Sequence, residues 1–310
     1  MNFSFTEQQQ VAADALAQML GRFRDVPLHT ESYLPGSALD AELQDAGFHD
    51  VGTDPDLGAV SAVDLVIQVA RQRLPVEIAA SALVRPRICP DTPRPLALVR
   101  GASPVRFGAE ARTALIVTEN EVLRLDVQPG DFAPLTTLFA YPLAKLTNEA
   151  RARAVPLAIE GAHELLQQYW EIGLAAETAG AIQSALNSTV EYVTQRKQFG
   201  QPIGAFQAVQ HRLAEAAVLL EAARWLTFKA ADSGDAGDAA LAAGYAQDAA
   251  RRVAYDFHQF HGAMGLTLEH PLHLWTYRLR ALLGELGGAA SRFDCAAAAV
   301  WGQPTASKRA

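Results

Sequence analysis

The strongest constraint on the fold lies in the second half of the chain. From residue 156 onward no strand-type run occurs, and Gly200, Gly204, Gly234, Gly237, Gly262 and Gly265 fall at a few corners. Between those corners the apolar residues repeat with helical spacing. Along 206–232, Phe206, Val209, Leu213, Ala217 and Leu220 keep the i, i+3, i+4, i+7 pattern of a buried stripe. Helices are expected over 164–197, 206–232, 235–262 and 271–301. Abundant alanine favours all four, and long helices with short connections pack as a bundle.

The first half divides in two. Ser4 or Thr6 can cap a helix whose stripe is Val11, Leu16, Met19, Leu20 and Phe23. Pro27 and Pro35 bracket a loop, and further helices are expected over 38–46, 57–74 and 77–84. After Pro86 the pattern changes. Pro90, Pro93, Pro95 and Pro104 punctuate the chain, and short β-type runs appear at 96–99, 114–118 and 122–125, with Leu143 and Leu146 marking another. The reading is a mostly α chain with a small β region: a helical domain over 1–89, a small, mostly antiparallel β domain over 90–150 and a four-helix bundle over 151–310.

Charge and cysteine content narrow the function. A net charge of −8 argues against nucleic acid as partner, which would call for a basic face. Two cysteines, Cys89 and Cys295, make no disulfide framework, and a reduced cytoplasmic setting is expected. No apolar run is long enough to span a bilayer. The polar start lacks the pattern of a signal peptide, and the end reads as a loose tail.

Two clusters carry candidate chemistry. The first is the corner EYVTQRKQFGQPIGAFQAVQHR at 191–212. Arg196 and Lys197 are read as the last helical turn, Gly200 as its stop and Pro202 as the residue that bars continuation. Arg196 offers a planar fork of donors suited to phosphate oxygens, and Gly200 lets backbone approach a ligand. Gln207 and Gln210 stand about one turn apart on the next helix. For an isolated arginine, a surface ion pair is the plainer alternative. The second cluster, FHQFHGAMGLTLEHPL at 257–272, holds Gln259 and three histidines, His258, His261 and His270. They lack the spacing of a metal site. No glycine-rich phosphate loop follows a strand, and no nucleophile elbow is present.

Together these clusters resemble the acyl-CoA dehydrogenase family. The family's R-x-Q-F-G corner followed by Gln stands here as Arg196, Gln198, Phe199, Gly200 and Gln207; its Q-x-x-G-G-x-G motif stands as Gln259, Gly262, Ala263 and Gly265; its T-x-E-x-P as Thr267, Glu269 and Pro271. The opening FSFTEQQQ is similar to the family's start, so the resemblance spans most of the chain. It implies a helical domain, a β domain and a bundle, with FAD bound across a subunit interface. It assigns Arg196, Gln198, Phe199, Gln207, Gln259, Gly262 and Ala263 to the phosphate and adenosine side of that FAD. The implied reaction is α,β-dehydrogenation of an acyl-CoA, with a carboxylate taking the α proton and electrons passing on to an electron-transferring flavoprotein.

Three departures qualify the resemblance. The chain is shorter than full-length members. The T-E-P-x-A-G-S-D-like loop that contacts flavin and acyl-CoA is absent, and nothing over 86–147 replaces it. The family's base position falls on Leu286, with Glu285 one residue early; the alternative position falls on Trp170, with Glu171 adjacent. One step on a helix is about 100° of rotation. Shortened relatives that serve steroid side-chain degradation pair with a full-length subunit as α2β2, and this sequence is similar to those. A self-sufficient homo-oligomer using Glu285 as base, an oxygen-using flavoenzyme and a non-enzymatic interaction protein are the other readings.

Overall fold

The computed structural model describes residues 4–24, 26 and 33–302. The loop between Pro27 and Pro35 and the tail lie largely outside the described residues. Helix α1, Glu7–Gly21, begins at Thr6, whose hydroxyl accepts from Gln9 N while Gln9 Oε1 accepts from Thr6 N, a reciprocal capping box. Helices α2, Ser37–Asp45, and α3, Gly58–Ala70, follow. The segment expected as a helix over 77–84 begins later and runs further. A π turn at Ala80–Val84 leads into α4, Arg85–Ile88, and Pro86 sits inside the run. Proline has no amide hydrogen to continue the ladder, and it falls directly after the π turn, where the regular i→i−4 bonding is already interrupted.

The β region consists of β1, Leu96–Arg100; β2, Val105–Arg106; β3, Thr113–Val117; β4, Val122–Asp126; β5, Phe132–Leu135; β6, Leu143–Leu146; and, beyond the short helix α5, Asn148–Ala152, β7, Val155–Pro156. One sheet runs β1-β3-β4-β7 and the other β2-β6-β5. Most pairings are antiparallel, but β1 and β3 are parallel, with Leu96 opposite Thr113. Every residue of β3 is buried. Covered on both faces, it reads as a continuous apolar run rather than an alternating one.

Helix α6, Ala162–Gln195, is the axis of the molecule. Its residues 170–182 are buried all round, as a helix packed on every side must be. It contacts α3, α7 (Gln207–Ser233), α8 (Ala236–His261) and α9 (Leu272–Leu282). Small residues set the spacing: a Cβ on Gly180 would lie 2.3 Å from the Ile67 carbonyl oxygen, so α6 and α3 meet backbone to backbone. The alanine-rich α8 packs equally closely on α6 and on α10, Gly288–Trp301.

Two sequence expectations for the bundle are corrected. The run over 271–301 is not one helix. It breaks after Leu282, with Leu286 at φ 55°, Gly287 at φ 85° and Gly288 at φ 76°. Consecutive left-handed residues are incompatible with a continuing right-handed helix. Nor do Arg196 and Lys197 form a last helical turn: α6 stops at Gln195, and Arg196 is extended. Among the described residues no helix is long and apolar enough to cross a membrane.

Candidate functional site

The corner after α6 is a miniature hairpin. Lys197–Gln198 (β8) pairs with Gln201–Pro202 (β9) across the two-residue loop Phe199-Gly200. Both loop residues have positive φ, 55° and 83°. That is the turn the right-handed strand twist favours. Left-handed backbone is strained for phenylalanine, at roughly 1–3 kcal/mol. Phe199 is nevertheless 90% exposed at the tip, touching only the edge of Phe206 among aromatic rings. Ile203 N donates to Arg196 O at 2.8 Å and closes the corner. Gln210 Nε2 donates to Gly204 O at 3.0 Å, which commits that side chain to bracing the bend. Arg196, Gln198 and Gln207 are exposed, and their side chains make no hydrogen bond or ion pair among the described residues.

The second motif arrives beside the first. Helix α8 ends at Gly262, whose φ of 55° and ψ of −133° suit only glycine. Gln259, Gly262 and Ala263 are exposed. Tyr192, one turn before Arg196, stacks on His261 at 4.3 Å, so the ends of α6 and α8 lie at one end of the bundle. An uncommitted guanidinium, free amides and an uncovered glycine backbone fit a phosphate-bearing ligand. None of these residues lines the chain's roughly 500 Å³ cavity.

A cavity of about 500 Å³ lies elsewhere, where α6, β1, β2, the π turn and the 284–287 break meet. Its walls are apolar, including Ile78, Leu98, Phe107 and Leu174, and one end is charged. Arg106 Nη1 donates to Glu177 Oε1 at 3.0 Å, and its Nη2 lies 2.9 Å from the other oxygen. The same guanidinium forms a two-point pair with Glu285, and Trp170 Nε1 donates to Glu285 Oε2 at 3.2 Å. It also lies 4.8 Å over the Tyr141 ring. Burial works against its charge, yet the Glu177 and Glu285 carboxylates hold it firmly protonated. Burial pushes the Glu177 carboxyl up despite the cation beside it. The Tyr141 hydroxyl is likewise pushed up by burial.

Glu285 therefore does face the cavity. The rotation argument fails for it because residues 284–288 are a break, not a helix. Gln247 on α8 holds that break, its Nε2 donating to Leu282 O at 2.7 Å and Glu285 O at 3.0 Å. For Glu171 the rotation argument applies. It sits on α6 turned away from the cavity, pairs with Arg292 and accepts from Gln167. Arg106, Glu177, Tyr141 and Gln247 escaped sequence reasoning. Glu177 carried a weak signal, a lone carboxylate in the apolar run GLAAETAGA. Arg106, against expectation, brings the β region into the cavity in place of the missing loop.

Residues 170–290 match the acyl-CoA dehydrogenase C-terminal domain. Acyl-CoA dehydrogenase IpdE2 of Mycobacterium tuberculosis (strain ATCC 25618 / H37Rv) is 42% identical over 105 residues, which are 34% of this chain and 33% of that protein. The match thus spans about a third of that relative's length. A chain of the ChsE4-ChsE5 complex from Mycobacterium tuberculosis superposes over 98% of this chain and 100% of its own, with TM-score 0.80 at 22% identity. A chain of the Tcur3481-Tcur3483 steroid ACAD superposes over 95% and 98%, with TM-score 0.77 at 21% identity.

Proposed function

We propose that this chain is a subunit of a heteromeric, FAD-dependent acyl-CoA dehydrogenase, and that it lends its bundle end to a flavin seated in a full-length partner within an α2β2 assembly. One observation carries the reading. Glu177, in the chain's own cavity, and Arg196, at the exposed corner, lie on one continuous helix and its first residue beyond. At 1.5 Å per residue they are roughly 28 Å apart. The five-carbon linker between a flavin ring and its phosphates does not bridge that distance. A flavin whose phosphates meet Arg196 therefore has its ring outside this chain's cavity.

FAD, when bound, would supply the acceptor for the β hydride of an acyl-CoA. Arg196 would meet the pyrophosphate as a charge-assisted fork, and Gln198, Gln207 and Gln259 would add hydrogen bonds. Phe199, held out at the hairpin tip, would cover the cofactor from water. Gly262 and Ala263 leave room for close backbone approach. The partner would supply the base for the α proton. In this chain the Glu285 carboxylate oxygens are already engaged by Arg106 and Trp170. The ChsE4-ChsE5 and Tcur3481-Tcur3483 likenesses support a two-chain assembly. An acyl-CoA substrate, a steroid side chain in particular, and onward transfer to an electron-transferring flavoprotein belong to the same reading.

A second reading keeps the chemistry within this chain, with Glu285 as base, because Glu285 lines the cavity. The two are separated by isolating the assembly through a tag on this chain and counting FAD. Arg196→Ala is expected to remove most of the flavin, while Glu285→Gln leaves flavin reduction by acyl-CoA intact. Full flavin content in Arg196→Ala refutes the first reading, and loss of reduction in Glu285→Gln supports the second.

A further inference from the structure

The two cofactor motifs are held together by a joint of three rings. Tyr192 lies against His261 at 4.3 Å with 20° between the planes, and its hydroxyl donates to His261 O at 3.4 Å. His270 closes the group, 4.4 Å from His261 and edge-on to Tyr192 at 5.5 Å. Two of the rings adjoin candidate cofactor residues. Arg196 N donates to Tyr192 O at 2.8 Å, and Gly262 follows His261 directly. The chain leaving α8 presses on the same imidazole, since a Cβ on Gly265 would lie 2.9 Å from His261 Cβ.

The protonation state of His261 follows from its partners. Its Nδ1 faces the Phe257 carbonyl oxygen at 2.7 Å and must carry the hydrogen there. Its Nε2 is buried, an acceptor with no partner among the described residues. A second proton would place a charge and an unmet donor in that position. The titratable groups facing it are His258 on α8 and His270 on the turn; Arg280 backs the first, and His273 and Arg73 back the second. All are cationic when charged, so none compensates a charged His261.

We infer that Tyr192, His261 and His270 are positioning residues that lock the two halves of the flavin-phosphate end together, and that the lock holds only while His261 is uncharged. The inference rests on the reading that this end holds FAD. Burial pulls the His261 imidazole down to about 4. The neutral form is thus favoured in the folded protein. Its contribution is intact above the unfolded value of about 6.5 and is lost progressively as pH falls toward the folded value.

The test uses the assembly isolated through a tag on this chain, stripped of flavin and titrated with FAD at several pH values by flavin fluorescence. Affinity is expected to hold across the neutral range and to weaken as pH falls toward the folded His261 value of about 4. His261→Phe keeps a ring in the stack but cannot titrate. It should bind as the parent does near neutral pH and lose most of the acid weakening. His261→Ala should bind about tenfold more weakly near neutral pH, the effect of roughly 1.4 kcal/mol of lost positioning. An acid profile of His261→Phe that superimposes on the parent's overturns the inference, and so does unchanged FAD affinity in His261→Ala. Arg196→Ala is the control. If it leaves affinity unchanged, the reading of this end as a flavin site fails; if it weakens binding while the His261 variants behave as the parent, the joint alone fails.

Discussion

Replacing Arg106 by leucine removes the only cation among the described residues that pairs with both Glu177 and Glu285. The guanidinium side chain is 12% exposed and the Glu177 side chain 5%, so the carboxylate left behind cannot recover water. Truncating one member of a buried pair costs about 3–5 kcal/mol, because the other charge stays buried without compensation. In a domain of this size each kcal/mol moves the melting temperature by roughly 2 °C, which places the loss near ~5–10 °C. The deficit has a definite pH sign. Burial already pushes the Glu177 carboxyl up, and removal of Arg106 pushes it further. A carboxyl with a raised folded value contributes fully below its unfolded value of about 4.5 and loses that contribution as pH rises through the folded value. The variant should therefore approach the parent under acid conditions and fall furthest behind at neutral pH. Thermal melts at matched protein concentration measure this. The double variant Arg106→Leu, Glu177→Leu should recover most of the loss, since a well-packed apolar pair can replace a buried ionic one. A single variant melting with the parent at neutral pH, or a double variant no better than the single, would refute the reasoning.

Gly180→Ala should destabilise by about 1–3 kcal/mol, because its Cβ would strike the Ile67 carbonyl and the Ala70 methyl of α3; urea midpoints measure it, and a neutral result would mean that the helices separate freely. Thr6→Ala removes both the hydroxyl acceptor and the reciprocal box at α1 and should cost ~1 kcal/mol, seen as faster amide exchange confined to the first turn. Gly262→Ala meets no steric obstacle but must adopt a glycine-only backbone, so FAD retention should fall while the melting temperature changes by only a few degrees at about 1–3 kcal/mol of local strain. A fully retained cofactor there would argue against close backbone approach.

Several helix boundaries were legible because their signals are local. Thr6 and Gln9, Gly234 followed by Asp235, and the stripe of α7 announce their elements through side chains within a turn of each other. The Arg196 corner and the Gln259–Ala263 segment were legible as short motifs of residue types suited to phosphate. Only the resemblance joined them at one cofactor; the contact that brings them together, the stack of Tyr192 on His261, is between different helices and leaves no local signal. The parallel pairing of β1 with β3 was likewise hidden, since strand order is a long-range choice.

By its own pattern, the sequence determines an α–β–α order, the three long helices α6, α7 and α8, and a cation at a glycine-proline corner. These follow from periodicity, capping and backbone restriction, which act over a few residues. Tertiary structure alone decided where the charges meet. Arg106 comes from the β region, Glu177 from the middle of α6 and Glu285 from a break that Gln247 secures from α8. Burial and Coulomb interactions depend on distance in space, and no spacing along the chain encodes them. The same holds for the roughly 28 Å of helix between that cavity and Arg196. It was written in the length of α6, but it acquired meaning only once the cavity was seen to lie at Glu177.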